Sequence, residues 1–185
     1  MTTPTPDPLH PGSWLDTSGA RVRVLPPALF AAPLVLTVLL RRRRVARRGP
    51  DTITRSRGAS AVLRTMLALL ALVTGAVVMA WAFLTMRAHR TTVVPWAGVD
   101  ALVTDGPFAH VRNPMYFADA LIYLGVSLWL RSWAPVLALP GVLAILQRWV
   151  IAPEEEYLAE RFGRRYRAYV RRTPRLVPGL AARGS

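Results

Sequence analysis

The sequence predicts an all-α integral membrane protein. About four hydrophobic helices are expected, including a helical hairpin in the C-terminal half, with a basic amphipathic helix after it. Three observations lead there. Of the 185 residues, 52% are hydrophobic. Met66 to Met86 runs for 21 residues without a charge, roughly 30 Å as a helix, which is enough for a bilayer core. No stretch alternates apolar and polar residues at the period of a strand.

Composition removes several chemistries. There is no Cys, so disulfide scaffolds, Cys-type zinc sites and thiol nucleophiles are excluded. His10, His89 and His110 are too scattered for a metal cage, and no metal is expected. All 24 basic residues are Arg, which excludes a Schiff-base lysine or a Walker-type phosphate lysine. The net charge of +14 can suit nucleic acid. The arginines sit beside apolar segments, however, so anionic lipid headgroups are the expected partner and nucleic acid is not.

The elements follow in order. Residues 1–23 are rich in Pro and Thr and read as a flexible N-terminus. Residues 24–101 hold the first membrane helices. Val24–Leu40 is apolar but contains Pro26, Pro27 and Pro33, so it either crosses, lies along the interface or kinks. Arg41–Ser60 reads as an Arg-rich loop, followed by Met66–Met86 as the clearest span. Residues 102–178 form the region expected to carry chemistry, and 179–185 a flexible tail. Within 102–178, Phe117–Leu130 and Trp133–Ile151 are separated only by Arg131-Ser132, an antiparallel hairpin. Pro140-Gly141 predicts a kink in its second arm. Trp129, Trp133 and Trp149 fall where interfacial rings belong.

A hairpin returns the chain to the side it left. The loop before Pro114 and the Arg-rich tail after Ile151 therefore share a side, which the positive-inside rule makes cytoplasmic. The Arg41–Ser60 loop then lies opposite although it too is Arg-rich, and the two assignments conflict.

Two polar islands interrupt the apolar chain. In the first, Gly106-Pro107 marks a break, and Arg112-Asn113-Pro114 precedes a helix for which Pro114 suits the first turn. Asn113 can cap that helix. Arg112 stands at the polar–apolar boundary, where its fork can hold a carboxylate or snorkel to headgroups. In the second, Ala152-Pro153 predicts that the membrane helix bends or stops, with Glu154–Glu156 in the first turn of a new one. All four glutamates, Glu154, Glu155, Glu156 and Glu160, lie within seven positions. Helix-dipole compensation accounts for part of this cluster. It accounts less well for several like charges at a membrane boundary, which need a cation. The hairpin brings this island back toward Arg112. Beyond it, Leu158, Phe162, Tyr166, Tyr169 and Val170 define one face of a basic helix suited to a membrane surface or to covering a pocket. Pro174 and Pro178 end the pattern.

Gly106-Pro-Phe-x-x-x-Arg112-Asn-Pro-x-Tyr116 and Glu154-Glu155-x-x-Leu158-x-x-x-Phe162-Gly163-x-x-Tyr166-x-x-Tyr169 flank the hydrophobic hairpin. Together they resemble the isoprenylcysteine carboxyl methyltransferase family, which is allied to the membrane phospholipid N-methyltransferases. The closing Thr173-Pro-Arg-Leu-Val-Pro178 fits as well. The resemblance covers roughly Leu102 to Pro178. It implies a multi-helix membrane fold that binds S-adenosylmethionine near the cytoplasmic face of the cell membrane. It implies a cofactor site made by Val103, Gly106, Arg112, Asn113, Pro114, Tyr116, Glu154 and Glu155, with Arg112 and Glu155 taking part in catalysis. Asn113 stands where the family often has His, and Ala118 where it often has Gly. Asp119 is unusual for a membrane helix.

The residues agree with that implication. No Gly-rich dinucleotide fingerprint is present. An arginine suits the carboxylate of an amino-acid sulfonium cofactor, and glutamates suit its ammonium or hydroxyls. The expected activity is methyl transfer to a lipid-like acceptor, a prenylated thiol-acid or a lipid amine. Two other readings are a membrane reductase of the steroid-reductase type, needing a nicotinamide site, and a non-enzymatic anchor or scaffold acting through its Arg-rich surfaces.

Overall fold

A computed structural model describes residues 25–48, 58–91 and 101–178. The expected flexible ends at 1–23 and 179–185 lie outside the described residues, as do parts of both expected loops. Five α-helices are present among the described residues, with no strand: α1 (Pro26–Arg48), α2 (Ala59–Ala88), α3 (Pro114–Trp129), α4 (Trp133–Leu146) and α5 (Ala152–Arg172). A short 3₁₀ turn, Gly106–Ala109, precedes α3, and a π turn, Gln147–Ile151, joins α4 to α5.

Helix α2 holds the uncharged run, and it packs most extensively against α3. The seam is made of small residues. Ala68, Gly75 and Ala82 of α2 are buried, as are Ala118 and Gly125 of α3. Their seven-residue spacing keeps one face turned to the partner. A Cβ at Gly75 would stand 2.8 Å from Ile122 Cγ1 and 3.0 Å from the Ala118 carbonyl oxygen. One at Gly125 would stand 2.7 Å from Leu72 Cγ and 2.9 Å from the Ala68 carbonyl oxygen. Both glycines therefore allow the helix backbones to approach.

The hairpin of α3 and α4 forms as its sequence predicts. Its tip turns at Arg131, which adopts a left-handed backbone (φ 54°). The buried Tyr123 hydroxyl donates to the Pro135 carbonyl at 2.7 Å and ties the two arms together. Helix α1 lies against both arms. Phe30 meets Tyr123 edge to face at 5.9 Å, and the cluster continues through Val142, Leu146, Val150, Ile151 and Leu176.

One expectation needs correction. Residues 41–48 are not loop: α1 runs on through the arginine cluster to Arg48. Arginine is a good helix former, and nothing breaks the helix before Gly49-Pro50. Arg41 Nη1 donates to the Leu130 carbonyl at 3.1 Å, satisfying an orphan acceptor at the end of α3. At Ala152-Pro153, where a bend or a stop is expected, α4 gives way to the π turn and α5 opens with Pro153 in its first turn; the helical path runs on as far as the break at Gly163. Proline lacks an N–H and crowds the carbonyl four residues back. The chain answers by widening to a π turn just ahead of Pro153, where the Ala152 N–H reaches back to the Gln147 carbonyl.

Two helices, Ala59–Ala88 and Trp133–Arg172, are long and apolar enough to cross a membrane. The apolar stretch of the second, 133–151, reaches roughly 28 Å, about one bilayer core, and is the part that belongs in lipid. Leu63, Met66, Leu70, Val73 and Val77 of α2 are exposed. An exposed apolar face of that length is what lipid covers and water does not.

Candidate active site

The two polar islands meet at one end of the bundle. Helix α3 begins there, the hairpin returns there through the π turn, and residues 173–176 lie across the gap. The Arg112 N–H donates to the Pro174 carbonyl at 2.9 Å, and the Asn113 N–H to the Arg175 carbonyl at 3.2 Å. Asn113 stands at the N-cap position of α3 but its side chain does not cap the helix. Its amide donates instead to the Arg175 carbonyl at 3.0 Å.

Glu155 is held between two guanidinium groups. Arg112 Nη2 lies 3.0 Å from Glu155 Oε1, and Arg175 Nε donates to the same oxygen at 3.2 Å. The Arg112 side chain is only 6% exposed. Its Nε and Nη1 are buried without a hydrogen-bond partner. Unspent charged donors are costly to bury, and they are what an anionic ligand group would satisfy. Beside them, the Tyr116 hydroxyl donates to Glu154 Oε1 at 2.6 Å. Burial pushes the Glu154 carboxyl up to about 7; the tyrosine bond opposes this and the Glu155 charge adds to it. Among the described residues, Glu154 has no cation paired to it.

These groups line a cavity of about 490 Å³, within the usual range for small-molecule sites. Much of its wall is apolar, including Leu25 and Pro26 of the α1 approach, Met79 and Met86 of α2, and Leu158 of α5. Tyr166 and Tyr169 close one side, and the Tyr169 hydroxyl donates to the Phe108 carbonyl at 2.6 Å. Burial raises both phenols above their ordinary value. They reach the wall because α5 breaks at Gly163, whose backbone (φ 52°, ψ −121°) is not helical and is open only to glycine.

Of the residues expected at the site, Val103, Arg112, Asn113, Pro114, Tyr116, Glu154 and Glu155 all line this cavity. Gly106 does not. It turns the chain at φ 56°, and a Cβ there would meet Thr85 Oγ1 at 2.8 Å, so it serves the packing of the 3₁₀ turn on α2. At that turn, His89 Nε2 and Asp105 pair at 2.9 Å, and the bond from His89 holds the Asp105 carboxyl below its ordinary value. Sequence reasoning missed Arg175 as the second partner of Glu155. No local pattern marks it, because the contact depends on how residues 173–176 cross the bundle. The N-terminal residues in the wall, Leu25–Pro27, carried no local signal at all.

A helical bundle with an exposed apolar belt and a partly open cavity at one end, into which Arg112, Glu154 and Glu155 bring charge, defines an integral membrane protein with a small-molecule site. The chain belongs to the phospholipid methyltransferase family, which residues 63–165 match. It is 34% identical over 82 residues to the cobalt-zinc-cadmium resistance protein CzcN of Cupriavidus metallidurans, covering 44% of this chain and 38% of that one. It is 35% identical over 77 residues to the protein-S-isoprenylcysteine O-methyltransferase of Schizosaccharomyces pombe, covering 42% of this chain and 33% of that one. The matched stretch thus spans well under half the length of either relative. No solved structure matches. Helix α1 and the Arg175 segment fall outside the family match.

Proposed function

We infer that the protein is an S-adenosylmethionine-dependent methyltransferase acting on a lipid-like acceptor, with its site facing the cytoplasm. One observation carries the reading. Arg112 offers two buried, unpaired donors in the same cavity where Glu154 offers a carboxylate without a cation. That donor set fits an amino-acid sulfonium: the guanidinium takes the cofactor carboxylate, and Glu154 takes its ammonium or ribose hydroxyls. Tyr116 orients Glu154. Glu155 acts as a positioning residue, fixing Arg112 through Arg175 and the 173–176 segment. Tyr166 and Tyr169 present aromatic surface, which suits a cation or a purine.

When bound, the cofactor supplies a methyl group already activated on a sulfonium. The chain aligns the partners and excludes water. The apolar walls from α1 and α2 supply the surface for a lipid-like acceptor.

Calorimetric titration of the detergent-purified protein with S-adenosylmethionine tests this. Binding is expected, weakened at least tenfold by Arg112→Ala and by Glu154→Gln. No heat from folded wild-type protein, or binding of a nicotinamide cofactor instead, would overturn it. The chain contains no cysteine, so a single Arg164→Cys substitution reports sidedness. Labelling by an impermeant maleimide only after the membrane is opened from the cytoplasmic side is the expected result.

A further inference from the structure

The hairpin tip, at the end of the bundle away from the cavity, gathers cations without a carboxylate. Arg41 Nη1 reaches the Leu130 carbonyl at 3.1 Å, which brings its guanidinium to the peptide that joins Leu130 to Arg131. Arg42, Arg43 and Arg131 are exposed, and α2 adds Arg64 at the same end. Among the described residues none of these arginines pairs with an acid. The described acids lie toward the other end: Asp105 before the 3₁₀ turn, Asp119 early in α3, and the glutamates of α5. Like charges drawn together repel one another, and an anion placed among them removes that repulsion.

The backbone of the tip points the same way. Arg131 adopts the left-handed conformation that glycine usually supplies where a helix ends. Glycine would make the turn without strain, so an arginine held there points to a use for its side chain. A guanidinium carries five N–H donors, and Arg41 gives one to Leu130, leaving the rest for a ligand. Trp129 and Trp133 flank the turn and are 59% and 70% exposed. Indole rings so placed belong at the level of the headgroups. That depth selects the partner. An anionic phospholipid presents its phosphate beside these rings and its chains to the exposed Leu39, Leu40 and Leu137, whereas a soluble anion or a nucleic acid would meet the arginines alone.

The contact at the tip reaches the cavity through α1. The chain runs from Leu25–Pro27 in the cavity wall to Arg41 at the tip, about 22 Å of helix rise. Pro33 lies inside α1 and withholds the N–H that would close on the Leu29 carbonyl, so this helix depends on what it docks against. Its apolar anchor is Phe30 on Tyr123. Its polar anchor, among the described side chains, is Arg41 on Leu130.

We propose that the hairpin tip binds the phosphate of an anionic phospholipid between Arg41 and Arg131, and that the bound lipid seats α1 and with it the Leu25–Pro27 wall of the cavity. An anion that binds best when Arg41 rests on Leu130 must favour that position in return. The protein therefore completes its cavity in a membrane that carries anionic lipid. The conflict between two Arg-rich ends then resolves: one set orients the chain in the bilayer, and the other holds a lipid.

The test places the full chain in nanodiscs of phosphatidylcholine alone, or of equal parts phosphatidylcholine and phosphatidylglycerol, and follows amide exchange at Ala28–Ala32. Exchange is expected to slow at least threefold in the anionic discs. Arg41→Gln and Arg131→Gly should each remove most of that difference. Glycine is free at this backbone, so Arg131→Gly should unfold in phosphatidylcholine no earlier than the wild type, which separates lost binding from lost folding. Arg165→Gln, on the exposed side of α5, should keep the full difference. Equal exchange in the two discs, a difference that survives both tip variants, its loss in Arg165→Gln as well, or the same slowing by inorganic phosphate in phosphatidylcholine discs would overturn the proposal. The readout uses no methyl donor, so a failure of donor binding would strike the methyltransferase reading and leave this result standing.

Discussion

The Tyr116 hydroxyl donates to Glu154 Oε1 at 2.6 Å and joins the first turn of α3 to the first turn of α5. This bond spans the base of the hairpin, so the two arms cannot separate there without disturbing the cavity. It also leaves Glu154 with a second oxygen for a ligand.

The first prediction concerns that carboxylate. Its pKa stands at about 7 because of burial, so below pH 7 it is mostly protonated in the free site. A cation bound beside it favours the ionised form and lowers the pKa. Binding of S-adenosylmethionine at pH 6.5 should therefore release a fraction of a proton from Glu154. Titration in two buffers of different ionisation enthalpy measures this. Glu154→Gln should remove that fraction, and the same proton count in wild type and variant would contradict the assignment.

The arginine pair on Glu155 gives a second prediction. Arg175 is 41% exposed at its side chain, and Arg175→Gln should cost only about 0.5–1 kcal/mol in thermal unfolding. Its larger effect should be on order: amide exchange at Thr173–Leu176 should rise, and donor affinity should fall as Arg112 loses its second-hand support. Arg112→Gln removes the deeper partner and should abolish donor binding. A variant at 175 with unchanged exchange and unchanged affinity would remove Arg175 from the site.

Helix packing supplies the third. Gly75→Val and Gly125→Val each force a side chain against a neighbouring backbone closer than 3.0 Å or at that limit. Overpacking of this kind costs about 1–3 kcal/mol. Gly141, whose Cβ would meet nothing within 4 Å, is the control, and Gly141→Ala should be neutral or slightly stabilising by helix propensity. Thermal unfolding in detergent ranks the three.

Gly163 gives the fourth. Its surroundings are open, so any cost of Gly163→Ala comes from the backbone alone, on the order of 1–3 kcal/mol. If the chain escapes that cost by straightening α5, Tyr166 and Tyr169 leave the cavity wall. Tyrosine fluorescence and donor affinity should then change together. A variant with wild-type unfolding and affinity would show that the break is unimportant.

Much of this architecture was legible in the sequence, for physical reasons. Met66–Met86 offers no charge that water could hold, so its helix was fixed by composition. Arg131-Ser132 is too short a connection for anything but an antiparallel return, and the return brought Arg112 and the glutamates together. The remainder depended on competing effects. Arginines next to an apolar run suggest a boundary, yet their helix propensity carried α1 to Arg48. Pro153 predicts a bend or a stop, and the chain answers with a wider turn. The partnership of Arg175 with Glu155 depends on how residues 173–176 cross the bundle, which no local pattern encodes. The contribution of Leu25–Pro27 to the cavity depends likewise on how α1 docks on the hairpin.

The π turn at Gln147–Ile151 has a consequence for how this chain can vary. Each residue of a helix advances the next by about 100° around the axis. Deleting one codon within that turn would remove the extra residue but not Pro153, which has no N–H to give and would again crowd the carbonyl four residues back. The five residues of the wide turn carry the chain about as far around the axis as four α-helical ones, so Glu154 and Glu155 would still face Tyr116 and Arg112. The cost of the deletion would fall on the helix and not on the site, and the segment acts as an expansion joint that takes up the proline without turning the chemistry away.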